Sequence, residues 1–233
     1  MASLTTSYVG GVTTASQNVL FLDDNVLIYP CGHSVVMHNS ENNVQLHVLQ
    51  CSEQTTRVTA LALSSAAHGG SKRLLAVAEH GPGRGVVCIR EFDGTKRTKR
   101  KKRELRSPDG AEFVSVAFSN DGKLLLTQGG APNWQLTLWS WEKAKVIASV
   151  RTTTESTARV NRADFNPFDS SLICASGVGL IKVRKLFFSL MYMSEYFTYL
   201  MLFLNDYNIP LGMNQSLYFS CDSMTEYLTN LMF

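Results

Sequence analysis

Between Glu112 and Arg151 the chain passes through four short apolar runs separated by turn residues, and this stretch constrains the fold more than any other. Phe113 to Phe118 alternates apolar with small residues, and Ser119-Asn120-Asp121-Gly122-Lys123 supplies a turn. Leu124 to Gln128 is a second, more continuously apolar run, closed by Gly129-Gly130-Ala131-Pro132-Asn133. Gln135-Leu136-Thr137-Leu138-Trp139-Ser140-Trp141 alternates with a strict period of two, and after Glu142-Lys143 a fourth run spans Lys145 to Val150.

Four strands within about 40 residues, ending in a Leu-Trp-polar signature, form the unit of a WD-type β-propeller. Such a reading needs further copies. Upstream, Val58 to Ser64, Leu74 to Ala78, the turn Gly81-Pro82-Gly83-Arg84-Gly85 and Val86 to Phe92 repeat the same order of features. Downstream, Val160 to Phe165, Asn166-Pro167-Phe168-Asp169 and Leu172 to Ser176 begin a third copy. Leu63 to Phe118 is 55 positions and Phe118 to Phe165 is 47, slightly longer than about 40–45 residues per blade. The fold class is therefore all-β, a partial propeller of three to four blades whose ring is not closed. Copies are degenerate: no Gly-His dipeptide precedes the first strands and the Trp-Asp position reads Trp139-Ser140, so the buried polar network that braces strong repeats is not expected. Asp121 and Gly122 read as turn-forming blade residues. Trp139 and Trp141, two apart on one strand, read as filling one face between neighbouring blades.

The run Phe113 to Arg151, above all Leu138 to Arg151, resembles the first propeller of the cilia- and flagella-associated protein 57 family of WD-repeat proteins. Asn18 to Gly32 resembles that family's opening, and the likeness covers roughly residues 15 to 182. It implies a non-enzymatic scaffold of the axoneme, in the cytoplasm and cytoskeleton of cilia or flagella. The implied partners are axonemal proteins, inner dynein arms or their regulatory complex and tubulin.

The 22 basic and 19 acidic residues nearly balance, yet every base lies at or before Lys185. Five scattered cysteines have no framework spacing, which favours a reducing cytosol over secretion. Neither a secretory signal nor an Arg-rich transit peptide opens the chain. Residues 1–17, rich in Ser, Thr and Gly, read as a flexible N-terminus. Residues 18–182 carry the propeller, whose N-terminal strands, Val19 to Leu22 through Leu46 to Leu49, belong to a blade that later sequence would close. Cys31, His33, His38, His47 and Cys51 are zinc-type donors, but a single Cys-x-His without a matching pair assigns no metal site.

Lys96, Arg97, Lys99, Arg100, Lys101, Lys102 and Arg103 put seven bases into eight positions. The run reads as a solvated hairpin between the Val86 to Phe92 strand and the outermost strand, with contact to an acidic protein or tubulin as its functional alternative. A nuclear address, and hence a general cytosolic or nuclear interaction module, is the competing reading. No aromatic residue is interleaved, so nucleic-acid bases have no stacking platform. No Gly-x-Ser-x-Gly, Walker loop or His-Glu-x-x-His occurs, no catalytic residue or cofactor is assigned, and no small-molecule substrate is implied.

From Val183 the character changes: residues 183–233 hold 12 of 23 aromatic residues, 6 of 8 Met and no Ala. Such a composition is what AT-rich noncoding DNA encodes, and Lys182-Val183-Arg184 is compatible with a GT splice donor. The expectation is an atypical apolar tail, a truncating intron read-through in which the third copy stops at Leu180-Ile181-Lys182 and no fourth strand follows. A helix packed on the propeller, or a membrane anchor over residues 187–204 interrupted by Glu195, are the alternatives.

Overall fold

A computed structural model describes residues 10–13, 19–65, 72–93, 96–154, 158–191 and 198–208, which hold sixteen strands and no helix. The first sheet is β1 (Leu20–Phe21), β2 (Val26–Cys31), β3 (Ser34–Asn39) and β4 (Val44–Gln50); the second is β5 (Arg57–Leu63), β6 (Lys72–Gly81), β7 (Arg84–Asp93) and β8 (Lys96–Arg106). The third is β9 (Phe113–Phe118), β10 (Leu124–Gly129), β11 (Gln135–Ser140) and β12 (Lys145–Arg151); the fourth is β13 (Arg159–Phe165), β14 (Leu172–Val178), β15 (Leu180–Met191) and β16 (Thr198–Asn208). Every sheet is an antiparallel meander in chain order. Neighbouring sheets meet chiefly at their inner strands, β5 against β9 and β9 against β13, with β1 and β2 approaching β5. The sheets thus fan out as propeller blades, and among the described residues no ladder joins the first blade to the fourth.

The inner pairs of the second, third and fourth blades carry a bulge at the same place. Register shifts between Val58 and Ala60, opposite Gln128 and Gly129, and between Val160 and Arg162, leaving Thr59, Val114 and Asn161 as the extra residues. That shared irregularity marks the three segments as copies of one unit more strongly than their residues do.

Period-two alternation sends the two faces of each blade to different neighbours, and the buried apolar residues sort into three clusters, one per junction. Ile28, Val35, Met37 and Leu49 of the first blade meet Leu61, Leu75 and Val77 of the second. Ala60, Ala62, Ala76 and Ala78 on the other face meet Phe113, Leu125, Trp139 and Trp141 of the third. Leu126, Leu136 and Leu138 then meet Phe165, Ile173, Ala175 and Leu186 of the fourth.

Three expectations change. The N-terminal strands need no later sequence, because Leu20 pairs with Ile28 and Phe21 with Leu27 to complete a four-stranded first blade. The expected flexible N-terminus falls largely outside the described residues; within 10–13, the Thr13 amide donates to the Pro30 carbonyl at 2.9 Å and the Cys31 thiol to that of Gly10 at 2.8 Å. The boundary at Lys182 lies inside β15, which continues to Met191 and pairs with a fourth strand, β16. The tight turn at Gly179 (φ 67°) fixes that hairpin's register, Ile173 facing Arg184 and Leu172 facing Lys185, and Leu186 closes the third apolar cluster. The backbone at 187–191 and 198–204 is extended rather than helical, and among the described residues no helix is long and apolar enough to cross a membrane. Residues 192–197 and 209–233 lie outside the described part.

Candidate functional site

The basic run is a strand and not the connecting hairpin. β8 begins at Lys96 because β7 offers it a partner along its length: Leu105, only 1% exposed, faces Val87, Arg103 faces Ile89, Arg100 faces Glu91 and Lys96 faces Asp93. Register shifts between Ile89 and Arg90 and between Glu91 and Asp93 bulge the strand, leaving Lys102 and the segment Arg97 to Lys99 as extra residues. β8 is the outermost strand of its sheet, where bulges and charge discourage pairing with a foreign strand. At 11 residues it is longer than β4 or β12, each of 7. The side chains of Lys96, Arg97, Lys99, Arg100, Lys101 and Lys102 lie outside the described part. Arg103 is exposed, and its Nε donates to the Glu142 carbonyl at 2.7 Å, tying the strand to the third blade.

The four blade residues singled out by sequence sit in the third blade. Trp139 and Trp141, each 4% exposed, both face the second blade. The Trp139 indole N–H donates to Thr127 Oγ1 on the neighbouring strand at 2.8 Å, and that of Trp141 to the Gly122 carbonyl at 2.8 Å. A bracing polar network is therefore present in part, where the degenerate dipeptides suggested none; its second member, Thr127, is hidden in an apolar run. Gly122 holds φ at 69°, a conformation that favours glycine. Asp121 closes the same turn by accepting from the Ser119 hydroxyl at 2.6 Å and the Lys123 amide at 3.1 Å. Partial burial opposes its ionisation, but Ser119 and Lys123 outweigh that and hold its carboxyl below the ordinary value.

A third feature, absent from the sequence reading, lies between the first and second blades. Glu79 ends the apolar run of β6 and faces the first blade with Val77, 4% exposed. Its Oε2 accepts from the Ser52 amide at 3.2 Å and the Thr55 hydroxyl at 2.7 Å, while Oε1 has no partner among the described residues. A cavity of about 40 Å³ opens beside it, lined by Ser52, Gln54, Thr55, His80, Gly81, Cys88 and Glu104. The space persists because a Cβ on Gly81 would lie 2.3 Å from the Gln54 carbonyl oxygen, so only glycine lets that loop approach. Burial, then the Glu79 charge, push the adjacent Cys51 thiol well above its usual value despite the lowering pull of Arg90, and a thiol held protonated is a poor nucleophile. Among the described residues no three His, Cys, Asp or Glu side chains form a metal-binding group, and Cys31 and Cys51 of the zinc-type set are free cysteines. Glu79 had a sequence signal in retrospect: it is the one carboxylate at the end of Leu74-Leu75-Ala76-Val77-Ala78.

The chain is similar to cilia- and flagella-associated protein 57 of Mus musculus, 30% identical over 170 residues, which is 73% of this chain and 13% of the relative. That similarity supports a WD-repeat protein like cilia- and flagella-associated protein 57. Cilia- and flagella-associated protein 44 of Mus musculus is 28% identical over 74% of the chain and 8% of its own length. Cilia- and flagella-associated protein 57 C of Tetrahymena thermophila is 28% identical over 73% of the chain and 13% of its own length. This propeller segment thus corresponds to a small fraction of its relatives' lengths. No protein-family model matches the chain.

Proposed function

We propose that the chain is a non-enzymatic propeller scaffold of the ciliary or flagellar axoneme. Similarity over 73% of the chain to a cilia- and flagella-associated protein carries this reading, and the fold supports it: blades present loops and outer strands as docking surfaces. Within the axoneme it holds components of the inner dynein arms or their regulatory complex in place, and residues 18–182 supply most of the working surface. The outer strand of the second blade, with Lys96, Arg97, Lys99, Arg100, Lys101 and Lys102, meets an acidic partner, and tubulin has the required charge. The matched segment spans 13% of its Mus musculus relative's length, and in this reading it supplies one docking surface.

The test is retention of the tagged full chain in detergent-extracted axonemes of motile ciliated cells. Retention, reduced when the six lysines and arginines of Lys96 to Lys102 are changed to glutamine, is the expected result. A freely extracted protein would overturn the axonemal reading. Retention unaffected by neutralisation would remove only the role of the basic strand, and nuclear accumulation that disappears on neutralisation would favour a general nuclear module.

A further inference from the structure

We propose that the cavity between the first and second blades is a socket for a lysine side chain presented by a partner protein. Its floor is a carboxylate in an unfinished state. Glu79 is 4% exposed and has spent one oxygen on Ser52 and Thr55, while Oε1 has no donor among the described residues. A buried charged acceptor left without a donor costs free energy that an incoming N–H group recovers. Glu104, from β8 at the outer edge of the same sheet, adds a second carboxylate to the lining, its side chain 24% exposed and its Oε1 3.4 Å from Arg106 Nε. The His80 Nδ1 is also without a partner beside the cavity. Exposed Ser52 and Gln54 form a rim through which a side chain can enter.

Size and charge select the ligand. The volume of about 40 Å³ exceeds the roughly 10–15 Å³ one water needs, and it suits a compact ammonium with its last methylene better than a planar guanidinium. Arg90, on the same face of β7, is not part of the lining; its Nη2 donates to the Gln50 carbonyl at 3.3 Å, while its buried Nε has no partner among the described residues and its charge reaches Cys51. Glu79 therefore faces the space with no Lys or Arg in the lining, and Glu104, though paired with Arg106, adds a second carboxylate to it. The Cys51 thiol, outside the lining, lies within hydrogen-bond reach of the Glu79 carboxylate, and neither it nor the lining Cys88 adds positive charge. This socket sits on the same blade as the basic strand, so one blade would read partners of both signs.

The experiment is titration of the full chain with N-acetyl-lysine methylamide, followed by the amide resonances of Ser52, Thr55 and Gly81, with N-acetyl-norleucine methylamide as the uncharged comparison. Saturable shifts with the lysine derivative alone are expected, abolished in Glu79→Gln and weakened about tenfold in Glu104→Gln, as loss of one charge-assisted contact implies. Equal shifts with both derivatives, or no saturable shift because water alone fills the cavity, would overturn the proposal. Should Glu79→Gln fail to fold, Glu104→Gln decides, since its side chain is partly exposed: undiminished lysine binding there also overturns the proposal. None of these outcomes bears on axonemal retention, so the two readings fail separately.

Discussion

The junction between the second and third blades and the one between the first and second are built from opposite faces of a single sheet, and they solve the packing problem differently. Toward the third blade the second presents four alanines, Ala60, Ala62, Ala76 and Ala78, and the third fills the space with Trp139 and Trp141. Toward the first blade it presents Leu61, Leu75 and Val77 against Ile28, Val35 and Met37, side chains of matched size. Small against large closes the first junction up to the indole hydrogen bonds. Aliphatic against aliphatic closes the second only as far as Val77, beyond which Glu79 borders a cavity. One side of the blade is thereby committed to stability and the other keeps room for a ligand.

The most severe way to break this contrast is Trp139→Ala. It removes the largest body from the filled junction and strands Thr127, so a loss of about 3–5 kcal/mol is expected in chemical denaturation. A loss below about 1 kcal/mol would mean that the junction is not close-packed. Overfilling comes next. Ala78→Leu, at a fully buried position in the same junction, should cost about 1–3 kcal/mol. Cys88→Val, which adds bulk beside the cavity across the sheet, should cost less than about 1.5 kcal/mol. Equal costs for the two would erase the distinction between the junctions.

What the sequence shows of this contrast follows from what alternation encodes. Trp139 and Trp141 two apart on a strand identify a shared face, and the structure puts that face between blades. Alternation is silent on register. Nothing local says that β8 starts at Lys96, because its pairing is anchored by buried Leu105 set against Val87 across the ladder. It is equally silent on the cavity, whose lining comes from the loop after β4 and from β6, β7 and β8, residues 52 to 104, joined only once the sheet and its neighbour are assembled. The extension of β15 past Lys182 was hidden by a change in composition that left the pairing of Leu172 to Ser176 with Ile181 to Lys185 intact.

An effect of comparable size sharpens the open side of the comparison. Glu79→Ala removes the acceptor of the Ser52 amide and the Thr55 hydroxyl, a cost of about 1–3 kcal/mol. Glu79→Gln retains a carbonyl oxygen for both and should stay closer to the parent. Hydrogen exchange at the Ser52 amide separates the cases: fast in Glu79→Ala and near parental in Glu79→Gln. Slow exchange in both would mean that the loop after β4 is held by something other than Glu79.

The smallest expected effect is that of acid on the turns around the filled junction. Burial works against ionisation of Asp109, yet the Ser107 hydroxyl at 2.7 Å, the Asn133 amide at 2.9 Å and the Ala111 amide at 3.1 Å hold its carboxyl below the ordinary value. Asp121 is lowered by Ser119 and Lys123 against the same opposing burial, and Asp169 by Ser171 first. A carboxyl depressed in the fold contributes its stability fully above the unfolded value of about 3.9 and loses it as pH falls through the lower folded value. Because these groups are largely exposed, screening keeps the contribution small. Amide exchange at Ala111, Lys123 and Ser171, corrected for its intrinsic pH dependence, should therefore accelerate below about pH 4, before the sheets open. Substituting asparagine at Asp109 leaves Ala111 a neutral acceptor and should flatten its profile alone. If the Ala111 profile in Asp109→Asn still bends with acid, the titrating group lies elsewhere and the turn's link to Asn133 is not what steadies the filled junction.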